Sequence, residues 1–311
     1  MGRKKGLPIN GWLILDKPLE MSSTQALSKA RYILNARKAG HAGTLDPAAT
    51  GVLPLAFGEA TKTVSYFQAA TKTYRFTARW GAATNTDDAE GEFIQTSDSR
   101  PSEEQVQEAA RTLTGEISQV PPQYSAIKVK GERAYALARK GEDVKLSARK
   151  VFVLDLRLLS HTGEESEFEC HCSKGTYIRS LARDMGESMG CFGHVTALRR
   201  TAVGQFTEND AFSLDELEKI VQSAPTENVL LPVEAPLDDI PALYITDNEA
   251  SRLKNGQSVV LFSKDGQRRM KDAGLDPKSA NDTVLARTYK KPIALVDIKG
   301  VEMKPVRVLN V

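Results

Sequence analysis

Apolar and polar positions alternate with a strand-like period in several short stretches of this chain and with a helical period in others. Thr73 to Trp80 is the clearest of the first kind, with Tyr74, Phe76, Ala78 and Trp80 on one side and Arg75, Thr77 and Arg79 on the other. Gly11 to Leu15 and Gly51 to Phe57 also read as strands. Val151 to Leu159 and Glu167 to Cys172 read as a pair joined through the polar turn around Gly163. A helical period runs from Ser22 to Leu34, with Ser22 or Ser23 near its cap and Ala26, Ala30, Ile33 and Leu34 on its apolar face. Pro101-Ser102 opens another helix, Glu103 to Leu113, with Gln105 three residues after the serine as in a capping box. Thr176 to Met189 carries a stripe of Ile178, Leu181, Ala182 and Met185, which sets Arg179 and Arg183 one turn apart on its flank. Ser213-Leu214-Asp215-Glu216 starts a further helix with a capping box of its own.

Beyond it the periodicity lapses. SAPTENVLLPVEAPLDDIPALYI holds four prolines and several acids, and residues 223–242 are taken as a linker. A short helix, Thr246 to Lys254, and strand-like pieces at Ser258 to Phe262, Pro292 to Asp297 and Val306 to Val311 then predict a small, mostly β unit over 243–311. The lysine-rich part between Lys264 and Lys291 is expected to be a long loop. The fold class that follows is α+β: a mixed, largely antiparallel sheet with flanking helices over residues 1–222, then the small C-terminal β domain.

A length of 311 residues and 41% hydrophobic content suit two domains with proper cores. No stretch has the apolar length of a membrane span, and Trp12-Leu13-Ile14-Leu15 is too short for a signal-peptide core, so a cytoplasmic protein is expected. Cys170, Cys172 and Cys191 are too few for a disulfide framework. In an alternating strand Cys170 and Cys172 share a face that His171 does not, which favours a buried core over a metal site. The net charge of +2 hides segregation: Lys and Arg outnumber Asp and Glu by 12 to 4 in residues 1–80 and by 9 to 4 in 121–160. The acids lead by 9 to 2 in 81–120 and by 9 to 1 in 211–250, so the chain can present a basic face to a polyanion while its acidic blocks face away.

One stretch concentrates chemical potential: HAGTLDPAATGVL, residues 41–53, where Asp46 is the lone carboxylate in a small, apolar run. Asp followed by Pro fits a helix cap and first turn. Yet Gly51 and a strand pattern follow at once, leaving little helix to cap. Cap and catalyst stay open together, because a tight turn at Pro47 could aim the carboxylate.

The segment GHAGTLDPAATGVL resembles the active-site motif of the tRNA pseudouridine synthase B (TruB) family, and four further motifs agree in order. GWLILDKP at 11–18, KTYRF at 72–76, GTYIRSLARDMG at 175–186 and HVTALRRTAVGQF at 194–206 are each similar to segments of that family. PPQYSAIKVKGERAYALARKGE, residues 121–142, resembles the insertion with which these enzymes grip RNA, about 121–150. The resemblance covers residues 8–217. ITDNEASRLKNGQSV resembles the start of the PUA-like domain that often follows, while the 264–291 stretch departs from its compact pattern.

The resemblance implies a pseudouridine synthase fold and isomerisation of uridine 55 in the T loop of tRNA. Such a reaction cuts a C–N glycosidic bond, turns the uracil and rejoins it through C5, with no redox change, so no cofactor and no metal are expected. One ionised carboxylate at the anomeric carbon suffices. A glycoside hydrolase would need a second acid, and no motif supplies one beside Asp46. By resemblance Asp46 acts at the sugar, or at the base in the alternative route, and Arg179 pairs with it and keeps it ionised and aimed. Tyr74 would stack on the target base, although alternation alone places it with the core. Tyr177 and Leu198 would line the base pocket, and His41 would fill the space that the flipped uridine vacates. Lys17 either supports the site through the DKP turn or is a surface lysine. Lys128, Lys130, Arg133, Arg139 and Lys140, with Tyr124 and Tyr135 among them, are candidate contacts to the tRNA T stem-loop. The chain is expected to act as a monomer, away from membranes.

Overall fold

The structure, a computed structural model, describes residues 6–125, 127–129, 131–140 and 146–311. Its first strands are β1 (Gly11–Lys17), β2 (Ala39–His41), β3 (Ala49–Phe57) and β4 (Lys72–Trp80). Helix α1 (Ser23–Ile33) lies between β1 and β2, and α2 (Val64–Ala69) between β3 and β4. A hairpin of β5 (Ala82–Thr84) and β6 (Phe93–Thr96) leads to α3 (Glu103–Thr112) and β7 (Gly115–Gln119). The small β8 (Lys128–Val129), β9 (Glu132–Arg133) and α4 (Ala134–Arg139) follow. The long pair β10 (Arg149–His161) and β11 (Glu165–Cys172), then α5 (Ile178–Ser188), β12 (Gly193–Val203), β13 (Phe206–Thr207) and α6 (Leu214–Ser223) complete the larger unit.

Nine of these strands form one sheet, with β1-β3-β12-β4-β11-β10-β7 in order, β2 on β3 and β13 on β12. Only β12 against β3 is parallel, so the sheet is mixed and largely antiparallel, as the alternation suggested. Packing follows the sequence pattern. Phe76, Ala78 and Trp80 of β4 are buried, as are Phe168, Cys170 and Cys172 of β11, under the stripe of α5 formed by Ile178, Leu181, Ala182 and Met185. A second cluster joins Leu13 and Leu15 of β1, Leu53 and Leu55 of β3 and Ala26 and Ala30 of α1. Tyr74 and Leu198 touch both clusters and stand at the seam between them.

The C-terminal sheet contains β14 (Ala242–Tyr244), β15 (Val259–Val260), β16 (Asn281–Arg287), β17 (Pro292–Lys299) and β18 (Glu302–Val308), in the order β14-β16-β17-β18-β15. Helix α7 (Asp247–Lys254) begins at Thr246 with a full capping box. The expected loop between Lys264 and Lys291 is a correction: it contains α8 (Lys264–Asp272) and β16. Ser263 caps α8 and Met270 is fully buried beneath it, but the charged residues around that single anchor conceal the helical period. The stretch expected as a linker packs closely: Leu231 exchanges backbone hydrogen bonds with Trp12, and Val229, Val233 and Leu237 are buried. No helix among the described residues is long and apolar enough to cross a membrane.

Candidate active site

Asp46 sits in the connection from β2 to β3. It caps no helix: its carbonyl accepts the Ala49 N–H at 3.1 Å in a single turn, and β3 starts at once. That connection is pinned from several sides. Ser23 Oγ donates to the Leu45 carbonyl and accepts the Leu45 N–H, each at 2.8 Å. The Pro47 carbonyl accepts from the Glu20 N–H at 2.9 Å. Lys17 is fully buried, which removes the surface reading. Its Nζ donates to the carbonyls of Pro18 at 2.8 Å, Met21 at 2.6 Å and Pro47 at 3.5 Å, so the DKP turn and the Asp46 turn share one ammonium. Burial brings the Lys17 pKa down to about 8, against the opposing pull of Asp46.

Arg179 meets Asp46 from the first turn of α5. Its Nη2 lies 2.8 Å from Asp46 Oδ2, and its Nη1 3.1 Å from Asp88 Oδ2. The same guanidinium donates to the carbonyls of Thr86 at 2.8 Å and Tyr124 at 2.9 Å. Only 6% of its side chain is exposed, against 41% for Asp46, so a buried cation holds a carboxylate that remains open to a ligand. Two residues that sequence reasoning missed build this arrangement. Asp88 is the first: it is buried, and its Oδ1 accepts from Thr86 Oγ1 at 2.5 Å and from the Glu90 N–H at 3.1 Å. Those bonds commit it to the turn, and it is not a free second acid. Gln119 is the other: it accepts the Tyr177 N–H at 2.8 Å and donates to the Tyr177 carbonyl at 3.1 Å, fixing the start of α5 in place of a side-chain cap.

This geometry corrects the expectation that the acidic blocks face away for one part of the 81–120 block. Asn85, Thr86, Asp88, Glu90, Gly91 and Glu92 line the cleft beside His41 and Asp46, where Asp88 pairs with Arg179; the neighbouring Asp87 pairs with Arg183 at 2.9 Å. Asp87 and Asp88 are each paired with one of the two arginines of α5.

Asp46 stands between two spaces. A narrow pocket of about 290 Å³ takes in Tyr74, Tyr177, Leu198, Lys72 and Arg200. A wider cleft of about 880 Å³ takes in His41, Ser22, Tyr124 and Asp88. Strand order explains the pocket: β12 lies between β3 and β4, so Leu198 sits opposite Ala49 and Phe76, and Arg200 opposite Gly51 and Tyr74. Burial pushes the hydroxyl pKa of Tyr74 up, with the Arg200 charge opposing it, and burial also raises that of Tyr177. The His41 pKa is lowered by burial and then by Arg200, and its buried Nδ1 has no hydrogen-bond partner, which describes a neutral imidazole facing the cleft. Lys72 was also missed by sequence. Its Nζ donates to the carbonyls of Ala70 at 2.6 Å, Gln68 at 2.8 Å and Phe67 at 3.3 Å, and burial lowers its pKa to about 8.

Asp46, Arg179, Tyr74, Tyr177 and Leu198 therefore meet around one pocket, with His41 across the cleft and Lys17 beneath the turn. The candidate RNA contacts lie elsewhere. Lys128, Arg133 and Arg139 fall in β8, β9 and α4, and Lys130 lies outside the described residues. Lys140 is exposed, with Nζ 3.0 Å from Glu132. Tyr124, at the base of this insertion, is the residue whose carbonyl Arg179 holds. Among the described residues no group of His, Cys, Asp and Glu side chains has the arrangement of a metal site.

Comparison with known proteins places the chain in a family. Residues 31–178 match the family described as TruB family pseudouridylate synthase (N terminal domain), and residues 179–238 match the tRNA pseudouridylate synthase B C-terminal domain. A protein of Caulobacter sp. (strain K31) named tRNA pseudouridine synthase B is 50% identical over 99% of this chain and 98% of its own. One of the same name from Brucella anthropi is 46% identical, again over 99% of this chain and 98% of its own. Among solved structures, a Cbf5-Nop10-Gar1 complex is similar over 96% of this chain and 84% of its own, with a TM-score of 0.72 at 24% identity. An H/ACA RNP bound to a substrate RNA containing 2'-deoxyuridine is similar over 99% and 91%, with a TM-score of 0.71 at 22% identity. These last two are likenesses of fold.

Proposed function

The chain belongs to the TruB family of pseudouridylate synthases, and from that premise we propose that it isomerises uridine 55 in the T loop of tRNA with Asp46 as the catalytic carboxylate. The observation that carries the proposal is the half-exposed Asp46 carboxylate, held at 2.8 Å by a buried Arg179 at the junction of pocket and cleft. A base in folded RNA reaches such a pocket only by leaving its stack, at a cost of about a few kcal/mol. Tyr74 stacks on the flipped uracil, Tyr177 and Leu198 enclose it, and His41 occupies the space it leaves.

At the sugar, the C1′–N1 bond breaks and its electron pair departs with the uracil. Asp46 captures or faces the cationic C1′ that results, while Arg179 holds the carboxylate turned toward it. The uracil then turns, C5 bonds to C1′, C5 loses its proton and N1 gains one. Atoms and charge balance with no external reductant or hydrolysis. Residues 1–222 form the synthase unit, with the 121–150 insertion gripping RNA, and 243–311 form a PUA-like unit. A tRNA substrate suits a cytoplasmic enzyme.

The test is tritium release from 5-tritiated uridine in a T-loop transcript, wild type against Asp46→Asn. Release by the wild type alone supports the assignment. Equal release by both refutes the role of Asp46, and binding without release by either makes the protein an RNA-binding scaffold.

A further inference from the structure

No part in the reaction set out for Asp46 falls to Arg200, yet three pieces of the site converge on it. We propose that Arg200 is a positioning residue, a clamp that holds both ends of the Asp46 turn and sets that turn against Tyr74. Its Nε donates to the Val52 carbonyl at 2.7 Å and its Nη2 to the Gly43 carbonyl at 3.2 Å. Gly43 precedes Asp46 and Val52 follows it, so one planar group fixes the chain on both sides of the carboxylate. On the other side of β12, Arg200 stands opposite Tyr74 in the β12–β4 register, and its charge opposes the rise that burial imposes on the Tyr74 hydroxyl pKa.

The surroundings are shaped to this contact. Gly43 and Gly51 both adopt φ of +100°, and a Cβ on Gly51 would lie 2.2 Å from the Arg200 carbonyl oxygen. Arg200 is 1% exposed and has no carboxylate partner among the described residues. Burying a guanidinium against neutral acceptors sacrifices solvation that an apolar residue of similar volume would keep. Stability alone does not call for the charge, whereas holding two carbonyls on either side of Asp46 with a single rigid fork does. Lysine reaches one such acceptor but cannot reproduce the fork.

The inference rests on the reading of Asp46 and Tyr74 as reacting groups, and its test separates the two. Arg200→Lys and Arg200→Met are compared with wild type in single-turnover tritium release, in T-loop RNA binding and in hydrogen exchange of residues 42–53. Arg200→Lys is expected to slow release about 100-fold, the scale of a small misplacement at a reacting centre. Its RNA Kd should stay within about twofold of wild type, since only uniform binding would move it. The Leu45 and Ala49 amides should exchange faster. Wild-type release by a folded Arg200→Lys protein overturns the clamp, and so does a loss explained wholly by weaker RNA binding. If Arg200→Met fails to fold, Arg200→Lys decides. If wild type itself releases no tritium, the functional reading fails, and the exchange data still judge the clamp: unaltered protection of residues 42–53 in Arg200→Lys refutes it.

Discussion

Asp46 and Asp88 share the Arg179 guanidinium, and replacing each by its amide separates chemistry from stability. At 2.8 Å, two unit charges attract by about 6 kcal/mol in an effective dielectric of about 20. Water reaches Asp46, however, and pairs with one open partner retain about 0–1 kcal/mol net. In Asp46→Asn the new amide oxygen can still accept from Arg179 Nη2, so the substitution should cost under about 1 kcal/mol. Asp88 differs because its side chain and that of Arg179 are 8% and 6% exposed. Removing one partner from a buried pair costs about 3–5 kcal/mol. In Asp88→Asn the remaining side-chain oxygen keeps the Thr86 hydroxyl and the Glu90 N–H, and Arg179 keeps Asp46, which brings the expected loss to about 2–3 kcal/mol. Urea unfolding measures these costs, and tritium release measures the chemistry. Asp46→Asn should lose at least about 1,000-fold in rate, as removal of a reacting group does, while Asp88→Asn loses about tenfold. If Asp46→Asn unfolds more readily than Asp88→Asn, or if Asp88→Asn is the slower enzyme, this division of labour is wrong.

Lys17 and Lys72, lowered by burial to about 8, are cationic below that pH and neutral above it, so their hold on the carbonyls around the site weakens as pH rises through about 8. The rate should fall over that range, and Lys17→Arg should move the fall to higher pH; an identical profile in the variant would remove Lys17 from the explanation. Gly51→Ala should destabilise by at least about 2 kcal/mol, because it combines a positive φ with backbone overlap, whereas Gly40→Ala, with open space around it, should stay within about 0.5 kcal/mol. Comparable midpoints for these two in thermal unfolding would contradict the close approach of β3 to β12. RNA binding should weaken steeply between low and moderate salt, with a linear dependence in logarithmic form, and a flat titration would argue against a basic binding face.

Local signals in the chain were readable wherever a local interaction makes the structure. The Ser or Thr followed three residues later by Gln or Glu marks the starts of α1, α3, α6 and α7, and each box is formed. Alternation in β4 and β11 correctly separated buried from outward residues. The pairing of Asp46 with Arg179 was legible only through family resemblance, since nothing in the spacing of the two residues announces a contact. Asp88, Gln119, Lys72 and Arg200 escaped for a related reason. Each acts on groups far away in sequence or on backbone carbonyls, and a carbonyl acceptor leaves no trace in residue type. The helix α8 was hidden differently, by charges that surround its one buried methionine.

The cations of the site follow a rule that bears on its substrate. Arg179 alone among the four buried ones is committed to carboxylates; Lys17, Lys72 and Arg200 are bound to backbone carbonyls and have no ion pair among the described residues. A carboxylate partner would have fixed each side chain equally well but cancelled its field. Carbonyls fix position and leave most of the charge in place, so the pocket retains a positive potential around its single open carboxylate. For a phosphate-bearing strand that potential favours entry, and it offsets the repulsion that the Asp46 carboxylate would otherwise exert on the incoming phosphates. Lys72→Met tests the rule, because it removes charge without touching Asp46, Arg179 or Arg200. It should weaken RNA binding and reduce its dependence on salt by roughly one unit of slope. An unchanged salt slope would mean that the buried charges act only on the protein's own backbone.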